Sequence, residues 1–160
     1  TGGMFFLKQG IYEVVVSIKN FKKIDLGQII DSNDGRLSVA ESDIDIPFKI
    51  KRVYYIYDFD SNKSIRGYHA HKTLEQVLFC ISGSFTLKLY DGTNHYEEKM
   101  NKPNIGLFIG NYIWHTMHNF SDDCIILVFA SEHFDEADYI RNFNNFKKII
   151  NKQKIEDQAK

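Results

Sequence analysis

The chain holds only two prolines and two cysteines among its 160 residues. So little proline argues against a long disordered linker. Two cysteines make no disulfide framework of the secreted kind. Cys80 and Cys124 each sit in an apolar run, Leu78-Phe79-Cys80-Ile81 and Cys124-Ile125-Ile126-Leu127. That is the setting of buried free thiols in a reducing compartment. No apolar run approaches the roughly 18 residues that a membrane span needs. Met4-Phe5-Phe6-Leu7 is short and meets a charge at once in Lys8, which makes a poor signal peptide. The net charge of −1 leaves no broad cationic surface for nucleic acid. A small anionic ligand stays compatible, because a few local arginines suffice to hold one.

What the chain has is aromatic residues, thirteen Phe and nine Tyr, a composition that favours strands. Alternation and turn signals predict strands at 12–18, 51–57, 66–71, 76–82, 84–90, 96–99, 106–109, 116–120 and 124–130. Gly83 reads as a tight hairpin and Asp91-Gly92 as the strongest turn signal. In the strand at 84–90, Phe85, Leu87 and Leu89 share one face, and Thr86, Lys88 and Tyr90 the other. Short strands at this spacing predict an all-β fold, a jelly-roll-like antiparallel barrel or sandwich. Acids at Asp135, Glu136 and Asp138, followed by Lys147, Lys148 and Lys152, suit a helix dipole and predict one short C-terminal helix at 136–150. The expected layout is one domain over 4–152. Thr1-Gly2-Gly3 reads as an expression remnant, and 153–160 as a polar tail.

The chemistry concentrates in Arg66-Gly67-Tyr68-His69-Ala70-His71-Lys72-Thr73-Leu74-Glu75-Gln76. Side chains two apart on a strand share a face, so His69 and His71 converge. Converging imidazoles serve either metal ligation or proton transfer. The spacing from His-x-His through Gln76 to Gly83 follows the first cupin motif, and His115-Thr116-Met117-His118-Asn119 follows the end of the second. The carboxylate position of that ligand set is filled by Gln76, a neutral amide, which weakens a metal site. Glu75 would point to the opposite face. The expectation is therefore no metal and no cofactor, with imidazoles free to act as acid and base. His95, His118 and His133 read as surface or structural residues. Arg52 and Tyr54 share parity, so Arg52 could hold a phosphate. Tyr54 could relay a proton or simply pack with Tyr55.

Together these segments resemble the nucleotide-sugar 3,4-ketoisomerases, small cupins that act on dTDP-4-keto-6-deoxyglucose. The likeness is carried by Lys51-Arg52-Val53-Tyr54-Tyr55-Ile56, the two stretches 66–72 and 74–78, Gly106-Leu107-Phe108-Ile109-Gly110 with Trp114-His115, and Asp135-Glu136-Ala137-Asp138-Tyr139-Ile140-Arg141. The resemblance implies a cofactor-free isomerase that moves a keto group from C-4 to C-3 through an enediol. By motif position, it makes His69 the base, and His71 the shuttle between the sugar oxygens with Tyr54 assisting. Arg52, Arg66, Lys72, Gln76 and His115 are then candidates for holding substrate, although the strand parity of Lys72 points away. The resemblance also implies a homodimer, with the apolar segment at 12–18 as the candidate for an exchanged N-terminal strand.

Overall fold

The computed structural model describes residues 4–6, 10–12, 18–60 and 63–159. In chain order the strands are β1 (Met4–Phe6), β2 (Gly10–Tyr12), β3 (Phe21–Asp25), β4 (Ile29–Asp31), β5 (Gly35–Leu37), β6 (Arg52–Ile56) and β7 (Arg66–His71). There follow β8 (Gln76–Ser82), β9 (Phe85–Tyr90), β10 (His95–Met100), β11 (Ile105–Ile109), β12 (Trp114–His118) and β13 (Ile125–Ala130). A 3-10 turn (Glu136–Asp138), β14 (Tyr139–Ile140) and helix α1 (Phe143–Gln158) close the chain.

Two antiparallel sheets face each other, β10-β9-β12-β7-β14 and β2-β3-β11-β8-β13-β6. Their inner faces supply the main core: Phe85, Leu87, Leu89 and Met117 meet Leu78, Cys80, Leu107, Ile126 and Val128. The alternation expected in β9 is visible here, with Lys88 exposed on the other face. Strand β8 is buried on both sides. Leu78 and Cys80 enter the main core, while Val77 and Phe79 pack outward against Ile24, Leu26, Ile46 and Phe48. Helix α1 covers the outside of the first sheet, setting Phe146 and Ile150 against Ala70, Trp114 and Ile140.

The C-terminal expectation needs correction. Asp135 caps the 3-10 turn, accepting from the Ala137 N–H. Tyr139 and Ile140 then pair with His71 and Ala70, in extended conformation. The helix begins only at Phe143, where Asn142 caps it by accepting from the Asn145 N–H. It runs on to Gln158, so most of the expected polar tail is helical. The acids near 136 serve turn and loop contacts, where a helix dipole had been expected. Strands β1, β3, β4 and β5 were not anticipated. Of the expected strand at 12–18, Tyr12 ends β2 and residues 13–17 lie outside the described residues.

Candidate active site

A cavity of about 290 Å³ lies between the two sheets, and β6, β7, β8, β12 and β13 build its walls. Inward alternation on β6 sends Arg52, Tyr54 and Ile56 into it, while Val53 and Tyr55 stay exposed outside. Strand β8 contributes Gln76 and Leu78, and β12 contributes His115 and Met117.

Strand β7 contributes Arg66, Gly67 and His69, which strict alternation forbids, since 66 and 69 differ in parity. The register explains it. His115 pairs with His69, but Thr116 pairs with Gly67, so Tyr68 is the extra residue of a bulge. Gly67 and Tyr68 both have positive φ, 86° and 57°. A Cβ at Gly67 would lie 2.6 Å from the His115 carbonyl oxygen, so only glycine fits. The bulge turns Arg66 to the His69 side and leaves Tyr68 half exposed outside.

His69 lies at the centre of an aromatic cluster. Its ring centroid is 4.4 Å from His115, 4.9 Å from His71 and 4.9 Å from Tyr139. Its Nδ1 is 2.9 Å from the Gly67 carbonyl oxygen, which can only accept. The ring proton therefore sits on Nδ1, and Nε2 carries the lone pair. Burial lowers the His69 pKa from its ordinary value, so the ring is neutral at pH 7. His115 is buried and held well below the usual range, first by desolvation and then by His69 and His71.

His71 stands one layer back. It does not line the cavity, and 4% of its side chain is accessible. Its Nδ1 is 2.9 Å from a carboxylate oxygen of Asp138. Burial and the neighbouring His69 bring its pKa down to about 4, outweighing Asp138. Tyr54 donates its hydroxyl to the Gln76 amide oxygen at 3.0 Å, and burial pushes its pKa up to about 12. That bond takes one of the two lone pairs of the Gln76 amide oxygen. Among the described residues no group of three His, Cys, Asp or Glu is arranged to hold a metal ion.

Arg52 lies 5.3 Å from the Tyr54 ring centroid and 5.8 Å from that of Phe134. Its Nε is buried without a hydrogen-bond partner among the described residues. Two candidates stay out of the cavity: His71 is held behind its wall, and Lys72 is sent to the outer surface. Its ammonium donates to the Ala137 carbonyl at 2.5 Å on the outer surface, as its parity foretold. Sequence reasoning missed Phe134, Tyr139 and Asp138. Their segment resembled the family, but its acids were read only as a helix start.

A jelly-roll barrel whose cavity gathers imidazoles, a phenol, an amide and arginines is a cupin with acid–base groups and cations at one site. Residues 19–151 match the family FdtA, described as WxcM-like, C-terminal. A TDP-4-oxo-6-deoxy-alpha-D-glucose-3,4-oxoisomerase of Aneurinibacillus thermoaerophilus is 48% identical over 138 residues, covering 86% of this chain and 98% of its own. A mutant of the 3,4-ketoisomerase QdtA from Thermoanaerobacterium thermosaccharolyticum, in complex with TDP-4-keto-6-deoxyglucose, is 41% identical. It superposes with a TM-score of 0.81 over 84% of this chain and 96% of its own. The TDP-quinovose 3,4-ketoisomerase WlaRB from Campylobacter jejuni is 48% identical, with a TM-score of 0.77 over 82% and 99%. The chain belongs to this family of sugar 3,4-ketoisomerases.

Proposed function

We propose that the chain converts TDP-4-keto-6-deoxyglucose to the corresponding 3-keto sugar through an enediol. The observation that carries this reading is His69, neutral, with Nδ1–H tied to Gly67 and its basic Nε2 beside a sugar-sized cavity. The C-3 hydrogen is acidic only because the C-4 carbonyl can take up the electron pair. His69 removes that proton as the C3–C4 double bond forms, and the C-4 oxygen is protonated. Returning the proton to C-4 while the C-3 hydroxyl loses its own gives the 3-ketone. The catalyst needs a base that is neutral at cellular pH and a hydroxyl near the two oxygens. Tyr54 supplies the hydroxyl at the cavity wall, and His71 supports proton traffic from behind.

Arg52 and Arg66, which line the cavity, hold the diphosphate; the buried Arg52 Nε has no hydrogen-bond partner among the described residues. Gln76 and His115 contact the sugar. The same reading makes the chain a cytoplasmic homodimer, supplying a 3-keto sugar to an aminotransferase that makes 3-amino-3,6-dideoxyhexoses for surface glycans. The exposed Val53, Tyr55 and Tyr57 beside edge strand β6 offer an apolar strip for a second copy. Among the described residues no helix is long and apolar enough to cross a membrane. The test is incubation with TDP-4-keto-6-deoxyglucose and a C-3 aminotransferase, followed by NMR of the sugar. A 3-amino sugar is expected, and unchanged 4-keto sugar would sink the assignment.

A further inference from the structure

Asp138 is the most heavily hydrogen-bonded carboxylate near the site, yet it lines no part of the cavity. Its Oδ1 accepts from the Thr73 N–H at 2.7 Å, the Thr73 hydroxyl at 2.8 Å and the Lys72 N–H at 3.1 Å. Its Oδ2 faces Nδ1 of His71 at 2.9 Å and the Leu74 N–H at 3.4 Å. Pairing of β14 with the end of β7 brings it there across 67 residues of sequence. Burial raises the Asp138 pKa, but the hydrogen bonds from Thr73 and His71 outweigh this and hold it below the ordinary value. The group is therefore an acceptor-only carboxylate at neutral pH.

We propose that Asp138 is a positioning residue for the isomerisation: it locks His71 as the Nδ1–H tautomer and fixes the ring that buttresses the base His69. A carboxylate accepting from one imidazole nitrogen leaves the lone pair on the other, the logic by which buried acids orient catalytic histidines. Here the oriented ring stands edge-on to His69, 4.9 Å between centroids at 85°, and Tyr139 packs against both rings. Asp138 thus acts on the base through His71 without touching substrate. The two carboxylate oxygens divide the work: Oδ1 accepts from the Lys72 and Thr73 amides and the Thr73 hydroxyl, and Oδ2 takes His71 and the weaker Leu74 contact.

The inference rests on the isomerase reading, and two measurements separate the two. Long-range 15N–1H NMR of the wild-type protein should show His71 protonated at Nδ1. Protonation at Nε2 alone would overturn the proposal whatever the activity. Asp138→Asn should lower kcat for TDP-4-keto-6-deoxyglucose by about 10- to 100-fold with KM nearly unchanged, as for other carboxylates behind a working histidine. Thr73→Val, which removes a donor to Asp138 but not its charge, should stay within about twofold of wild type. Equal losses in both variants, or a full-speed Asp138→Asn enzyme, would mean the carboxylate only braces the loop. A wild-type protein inert toward this sugar but with His71 in the Nδ1–H form would strike the substrate assignment alone.

Discussion

The Tyr54 hydroxyl donates to the Gln76 amide oxygen at 3.0 Å, joining strands that are 22 residues apart in sequence. The bond holds the phenol at the cavity wall and uses one lone pair of the amide oxygen that stands in a cupin ligand position. Replacing the amide by a carboxylate would change both. Gln76→Glu is expected to lower kcat by roughly tenfold or more, because a charged acceptor binds the Tyr54 proton more tightly. Steady-state kinetics of the variant checks this, and an unimpaired Gln76→Glu enzyme would remove Gln76 from the account.

Wild-type activity should survive exhaustive dialysis against a chelator. Metal content by elemental analysis, measured beside turnover before and after dialysis, checks this. Activity that vanishes and returns with a divalent cation would restore the metal reading.

The pH dependence follows from burial. His69 must be neutral to act, and its pKa is lowered, so the acid limb of kcat/KM should fall below pH 6.5. Tyr54, pushed up to about 12, stays protonated across the working range, so no alkaline limb from it is expected below pH 10. Stability should follow the same sign. His71 takes up its proton near 6.5 when unfolded and near 4 when folded. The unfolded chain binds more protons between these values, so stability is full above pH 6.5 and is lost as pH falls toward 4. Urea titrations at pH 7 and pH 5 test it; equal midpoints would contradict the burial of neutral imidazoles.

Gly67→Ala should be costly out of proportion to one methyl group. The new Cβ would meet the His115 carbonyl oxygen at 2.6 Å, from a backbone with φ of 86°. About 1–3 kcal/mol of strain is expected before any clash is counted. Thermal melting measures the loss. Activity should fall as well, since the bulge that aims Arg66 into the cavity would shift.

The bounds of strand β7, Arg66–His71, were legible to the residue, but its burial does not alternate to the end, since Ala70 and His71 are both buried. Strand β8 was legible because apolar residues fill it from Val77 to Ile81. The parity of Arg52 with Tyr54, and the outward aim of Lys72, followed from the same period of two. The placement of Arg66 did not, since simple alternation puts it opposite His69; the one local signal is Gly67, the residue that permits the bulge. Asp138 was hidden for another reason. Its partners His71 and Thr73 are more than sixty residues away, while its acidic neighbours imitate a helix start. Strands β3 to β5 were missed because most of their residues are partly or fully exposed and show no clean alternation.

The central claim is that His69 moves the C-3 proton. The direct measurement is NMR of TDP-4-keto-6-deoxyglucose in D2O with wild-type protein or with His69→Asn. Wild type should place deuterium at C-4 of the 3-keto product and, by reversal, at C-3 of the substrate. His69→Asn should lose about 10²- to 10⁴-fold of that exchange while binding TDP as wild type does. A His69→Asn protein that exchanges C-3 at the wild-type rate would contradict the account.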